Sequence, residues 1–270
     1  MFKRIKKPLA PVLFLLAIIV FTACDPYQRI LRSNDLELKQ RKAMEYYNDG
    51  AYHRAIPLFE ELIQIFRGTR SVEELYYYYT DSHFQEGNYL IAAFHFNAFH
   101  QQHPNSKFAE KALYMHAYSY YRMSPVYSLD QTYTQKALDG YRRFVNRYPQ
   151  SGKIEKVNGE MDQMRRKLEM KAFRSAELYF RTRNYRAAAS SFEAFLNRFP
   201  ETRDTEKVYL YIIRSYYNFA ENSVQSRRKE RYELVIENYL NFVENFQNPL
   251  ILKEAEDFYV SALEKIEALN

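Results

Sequence analysis

The sequence predicts an all-α fold, about five helix–turn–helix units in series closed at the C-terminal end by one further helix. Three observations carry that prediction. Helix breakers are scarce, with 6 Gly and 9 Pro in 270 residues, so helices run long and connections short. Tyr and Phe number 26 and 20 while Trp is absent, and such rings suit the half-buried seams of stacked helices. Third, one spacing of residues returns along the chain, and internal repetition marks a fold built from stacked units.

That spacing is an aromatic residue, a small one three positions on, an aromatic seven on and an apolar residue ten on. It reads Tyr52, Ala55, Phe59, Leu62, then Tyr89, Ala92, Phe96, Phe99. Further copies are Thr134, Ala137, Tyr141, Phe144, then Tyr185, Ala188, Phe192, Phe195, and the looser Tyr232, Val235, Tyr239, Phe242. These offsets place the four side chains on one helix face. Upstream of each copy lies a second helical stretch, such as residues 43–48, 75–85 or 176–181. Ala43 and Ala176 precede the small residue of their copies by twelve positions, where paired helices must approach closely. Pro104, Pro149 and Pro200 fall fifteen residues after the first residue of their copies, and Pro249 seventeen after Tyr232. Each ends its helix, and the polar pairs behind the first three (Asn105-Ser106, Gln150-Ser151, Glu201-Thr202) cap the next one. Two irregularities interrupt the series. Residues 123–134, MSPVYSLDQTYT, are inserted between the paired helices of the third unit. Residues 154 to about 183 hold no Pro and only Gly159, which predicts one long helix, charged on most faces, that projects or bridges rather than being buried all round.

The unit resembles the tetratricopeptide repeat, a helix–turn–helix of about 34 residues ending in proline. Five copies account for residues 37–248, with a capping helix from Pro249. Repeats of this kind stack into a solenoid whose first helices line a groove for extended or helical peptides. The alternative is an ordinary helical bundle whose aromatic seams happen to recur.

Ahead of the repeats, Lys3, Arg4, Lys6 and Lys7 precede an uncharged apolar run over residues 9–21, followed at once by Thr22-Ala23-Cys24. Basic flank, short apolar core and small residues define a secretory signal segment, too short to span a bilayer comfortably. The cysteine directly behind the small residue resembles the lipobox of bacterial lipoproteins, with Phe21 in place of the usual leucine. That resemblance implies cleavage between Ala23 and Cys24 and fatty acylation of Cys24, the single cysteine of the chain. An ordinary signal peptide with an incidental cysteine is the alternative. The expected organisation is a signal peptide over 1–23, an N-terminal tether over 24–36 and the repeat domain over 37–270. Removing the four leader cations leaves 35 basic against 33 acidic residues, from 39 and 33. A domain so nearly balanced gives little support to nucleic-acid binding.

Ser128-Leu129-Asp130-Gln131-Thr132-Tyr133-Thr134-Gln135-Lys136-Ala137, Arg147-Tyr148-Pro149-Gln150-Ser151 and the stretch 167–202, KLEMKAFRSAELYFRTRNYRAAASSFEAFLNRFPET, are similar to the BamD family. BamD is the lipoprotein subunit of the bacterial outer-membrane β-barrel assembly machine. The resemblance implies a non-enzymatic scaffold, lipid-anchored on the periplasmic face of the outer membrane, with no cofactor and no small-molecule substrate. It implies binding of a BamA-like barrel subunit through the later repeats and of unfolded outer-membrane protein precursors through the earlier ones. A basic residue on the second helix of the fourth repeat meets BamA in the family; Ser191 stands at that place here, so the contact is not carried over. Asp25 follows the cysteine, where enterobacteria read an inner-membrane retention mark; that rule is lineage-specific, and the lone acid before Pro26-Tyr27-Gln28-Arg29 favours the periplasmic face. The other function class is a different tetratricopeptide lipoprotein that organises peptidoglycan or cell-envelope enzymes.

Other chemistry finds little purchase. His95, His100 and His103 are spaced by five and three, which does not bring all three to one tight face, and there is no HExxH. Ser226-Arg227-Arg228-Lys229 has an SxxK spacing, yet it falls in a polar connection. The basic stretch 227–231 reads as a solvated link, or else as a contact for an acidic partner or lipid headgroups. Tyr76-Tyr77-Tyr78-Tyr79 cover every face of a helix, so at most two of them enter the core. Tyr78 and Tyr79 are the candidate lining of a peptide groove, since tyrosine is favoured at binding hot spots.

Overall fold

The recurring register is the seam along which the helices pair. In the computed structural model, which describes residues 26–246 and 249–269, Ala55, Phe59, Leu62, Ala92, Phe96, Phe99, Ala137, Tyr141, Phe144, Ala188 and Phe192 are wholly excluded from solvent. Twelve helices follow one another among the described residues: α1 (Pro26–Leu31), α2 (Leu36–Asn48), α3 (Tyr52–Ile65), α4 (Ser71–Gln85), α5 (Tyr89–Gln102), α6 (Ala109–Met123), α7 (Thr132–Arg147), α8 (Ile154–Arg181), α9 (Tyr185–Arg198), α10 (Thr205–Glu221), α11 (Gln225–Asn245) and α12 (Pro249–Glu267). The pairs α2/α3, α4/α5, α6/α7, α8/α9 and α10/α11 are the five repeats, and α12 is the closing helix. The chain is a tetratricopeptide-type repeat protein in fold.

The described residues form two compact units. One holds residues up to Ser124 together with Thr132–Val157; the other holds Pro125–Gln131 and everything from Asn158 onward. In the first unit each helix from α2 to α7 packs on the next. Its first core joins Ala43, Ala55, Leu58, Phe59, Leu62 and Leu75. The α6–α7 crossing is so close that a Cβ on Gly140 would lie 2.8 Å from Ala117 Cβ. Glycine is therefore required there by proximity, not by backbone angle. In the second unit Phe173 and Ala176 of α8 meet Phe192 and Phe195 of α9 and Val208 and Ile212 of α10. A further core joins α10, α11 and α12 around Tyr232, Phe242, Ala255 and Ala262.

Two expectations are refined. The long helix predicted from residue 154 is α8, charged on most faces as expected, with one stripe of Val157, Met161, Met164, Phe173 and Ala176 buried along it. The segment 24–36, expected as a tether, is folded from Pro26 onward. Ile30 is buried, Tyr27 donates its hydroxyl proton to the Arg54 carbonyl at 3.1 Å, and Asp35 caps α2 by accepting from the Leu38 amide at 2.9 Å. Aromatic and aliphatic residues at 27, 30 and 31 give α1 an apolar side to bury.

The connection inside a repeat has one construction used three times. After α2 the Ala51 amide bonds back to the Tyr46 carbonyl and that of Gly50 to Tyr47. After α4 the pairs are Asn88 to His83 and Gly87 to Phe84, and after α8 they are Asn184 to Tyr179 and Arg183 to Phe180. This double bond pattern needs a left-handed residue just past the helix end. Gly50 and Gly87 supply it at φ 75° and 80°, but the fourth repeat uses Arg183 at φ 62°. A side chain in that region costs about 1 kcal/mol relative to glycine. We therefore expect Arg183→Gly to stabilise the protein by about 0.5–1 kcal/mol in urea unfolding; a loss of stability would show that the arginine side chain contributes more than its backbone costs.

Candidate functional site

The best-developed surface of the first unit is a strip of rings with cations laid over them. On α6, Tyr114, Tyr118 and Tyr121 share one face, as offsets of four and seven dictate. Their rings stack nearly parallel, with centroids 5.5 Å apart for the first pair and 5.6 Å for the second. Phe84 of α4 joins at 5.7 Å from Tyr118, and Tyr89 continues the strip at 5.1 Å from Phe84. Lys156, from the first turn of α8, stands 5.3 Å over Tyr118 and 5.5 Å over Tyr114. The Arg122 guanidinium lies 4.9 Å from the Tyr89 ring. The first helices of three successive repeats thus contribute to one surface. Tyr118 and Tyr121 are half-buried, Arg122 and Lys156 exposed. Such cation–ring contacts are worth about 0.5–1 kcal/mol each at exposed sites, which helps to hold the cations in place. Only the α6 spacing was visible in the sequence, because Phe84, Arg122 and Lys156 are brought to it by packing.

The tyrosine run divides by direction. Tyr77 is buried, while Tyr76, Tyr78 and Tyr79 are half-buried. Tyr78 faces Tyr47 at 4.8 Å and Phe108 at 6.1 Å. Tyr79 points elsewhere, to His83 at 4.7 Å and His95 at 5.2 Å. The two candidate groove residues share no ring neighbour. Burial raises the pKa of both hydroxyls, reinforced for Tyr78 by Glu74 and Asp81 and for Tyr79 by Glu60, so both are protonated donors at neutral pH. Cys24 lies outside the described residues.

The histidines are dispersed. His95 Nδ1 pairs with the Tyr76 hydroxyl at 3.1 Å, His100 Nε2 with that of Tyr148 at 3.2 Å, and His103 approaches Glu73 at 3.8 Å. Among the described residues no group of three His, Cys, Asp or Glu is placed to hold a metal ion, and no helix is long and apolar enough to cross a membrane. The stretch 227–231 is corrected from a connection to the opening turns of α11. Arg228 donates to the Ser223 carbonyl at 2.9 Å and to that of Glu221 at 3.2 Å, satisfying the open end of α10. Arg231 bonds Ser223 Oγ and lies 3.9 Å over the Phe219 ring. Two of these cations are therefore committed within the chain.

Paired helices joined along a recurring small–aromatic seam define a tetratricopeptide-type helical repeat protein, with a strip of largely buried rings under exposed cations. Residues 37–234 match the family model YfiO, described as outer membrane lipoprotein. The chain belongs to this family, the BamD family. No curated protein matches it. Similar solved structures include the TPR2AB domain of yeast Sti1 in its pHSP90 complex, 14% identical over 87% of this chain and 89% of that one at a TM-score of 0.42. The P58(IPK) TPR domain is 15% identical, covering 87% of this chain and 66% of that one, also at 0.42. The C-terminal part of a TPR protein from Cytophaga hutchinsonii is 16% identical, covering 85% and 95%, at 0.31.

Buried histidines make the first unit sensitive to acid. His116 donates from Nδ1 to the Ala93 carbonyl at 2.8 Å and accepts at Nε2 from Arg143 at 2.5 Å, which requires the neutral ring. Burial, aided by Arg143 and His100 and opposed by the Ala93 bond, pushes its pKa down to about 4. The unfolded imidazole takes up its proton near pH 6.5, so the unfolded chain binds more protons between those values and stability rises with pH. The contribution is fully present above about pH 6.5 and is lost as the pH falls towards 4. His83, His95 and His100 are lowered in the same direction by burial. The melting temperature is expected to fall between pH 7.5 and 5, with a shallower slope in His116→Gln; an identical slope in that variant would exclude His116 as a proton acceptor on unfolding.

Proposed function

We propose that this protein is the lipid-anchored scaffold of outer-membrane β-barrel assembly, carried on the periplasmic face by acyl chains on Cys24. It holds a BamA-like barrel subunit and receives unfolded outer-membrane protein precursors, making and breaking no bonds itself. The observation that carries this reading is family membership over residues 37–234. The strip from Phe84 through Tyr118 to Lys156 supports it, because stacked rings under cations suit extended segments with aromatic and acidic side chains. Tyr78 and Tyr79 enter as two separate contacts on either side of α4. Each buried acyl methylene contributes about 0.8 kcal/mol, so two or three chains hold the protein stably at a bilayer.

Co-purification from detergent-solubilised envelopes tests the reading: a barrel subunit should be recovered with the tagged protein. Peptidoglycan synthases recovered without any barrel subunit would instead support the envelope-enzyme organiser. Cys24→Ser should leave the chain soluble or uncleaved with impaired barrel assembly, and full membrane attachment of that variant refutes the anchor. For the peptide surface, Tyr79→Ala and the pair Arg122→Glu with Lys156→Glu should each weaken binding of a terminal-strand precursor peptide about tenfold, which is about 1.4 kcal/mol. Unchanged affinity in a chain that keeps its helical spectrum removes those residues from the site.

A further inference from the structure

We propose that α1 seats the first unit on the membrane, with Arg29 and Arg32 meeting anionic phospholipid headgroups. The inference rests on the Cys24 anchor proposed above and adds what that anchor does to the orientation of the folded chain.

Leash length comes first. Only Asp25 stands between Cys24 and Pro26, the first residue of α1. Two peptide units reach about 7 Å at most. An anchored protein whose folded part began ten residues later would have slack of several times that distance and no preferred face towards the lipid.

The second point is that α1 is fixed to the first repeat. Tyr27 meets the Tyr46 ring edge-on at 5.7 Å. The Arg54 guanidinium lies 5.6 Å from the Tyr27 ring and 5.8 Å from that of Tyr46, while the Arg54 carbonyl accepts the Tyr27 hydroxyl proton. The link to α2 is tied as well: the Ser33 amide bonds to the Ile30 carbonyl at 3.1 Å, and the Asp35 amide to Ser33 Oγ at 3.1 Å. A position pinned at Cys24 therefore keeps α1, and through it the first repeat, within a few ångströms of the bilayer surface.

The third point is what α1 turns outward. Tyr27, Ile30 and Leu31 face the repeat, whereas Pro26, Gln28, Arg29 and Arg32 are exposed. Neither arginine side chain has a hydrogen bond or ion pair among the described residues, unlike Arg54, Arg228 and Arg231, which are all engaged. Arginine forks pair with phosphate geometry, and a basic side chain gains when held within a Debye length of an anionic surface. The acyl chains hold the protein at the bilayer; the arginines choose which face it presents.

The test uses the full-length lipidated protein with Gln28→Cys carrying an environment-sensitive dye, bound to vesicles whose headgroups bear a quencher. Quenching should be at least twofold stronger on phosphatidylglycerol-containing vesicles than on phosphatidylcholine. Arg29→Gln with Arg32→Gln, or 0.5 M salt, should bring it down to the phosphatidylcholine level. Equal quenching on both lipids, or quenching indifferent to the arginine substitutions, overturns the proposal while flotation with the vesicles still upholds the anchor. Failure of the unsubstituted protein to float removes the anchor, and the seating falls with it.

Discussion

The structure depends on how closely the two helices of a repeat can approach. In the repeats a side chain no larger than alanine or valine is shut off from water, among them Ala43 and Ala55 in one core and Ala176, Ala188 and Ala189 further on. Gly140 against Ala117 is the extreme case. The flanking rings one turn on, Phe59, Phe96, Tyr141 and Phe192, are buried beside these small residues. Interiors packed to crystal-like density transmit any enlargement to their neighbours, so the small positions constrain the aromatic ones rather than the reverse.

With no tryptophan, the chain uses tyrosine to join one repeat to the next, and the hydroxyl is what makes the junction specific. Tyr47 of α2 donates to Asp81 of α4 at 2.6 Å, and Tyr211 of α10 to Glu177 of α8 at 3.3 Å. Both pairs are separated by 34 residues, one repeat length, although donor and acceptor exchange order. Each of these half-buried rings keeps a partner for its polar tip, and the pair ties successive first helices together.

The repetition fails in two places, and they are built differently. The insertion within the third repeat is held open by Gln131, whose buried amide donates to the carbonyls of Val126 at 2.9 Å and Leu129 at 3.0 Å. Lys171 of α8 secures Leu129 from the other side at 2.7 Å. Val126 and Leu129 themselves stay largely exposed. The segment is thus anchored through its backbone while its apolar side chains face outward. The α10–α11 turn does the opposite, drawing Arg228 and Arg231 inward to close a helix end.

Features with a short-range cause are legible in the sequence. Periodicity and proline placement yield the five hairpins and the closing helix, because each hairpin's apolar face is written in spacings of three and four. The wording around 128–137 and 167–202 likewise carried the family. The remaining features come from packing. It separated Tyr78 from Tyr79, gathered Phe84, Tyr118 and Lys156 from three repeats, turned the supposed tether into a packed helix and drew two arginines of 227–231 into a cap. The physical reason is range: which way a side chain on a known helix points is settled by the neighbour packed against it, and that neighbour lies tens of residues away in the chain.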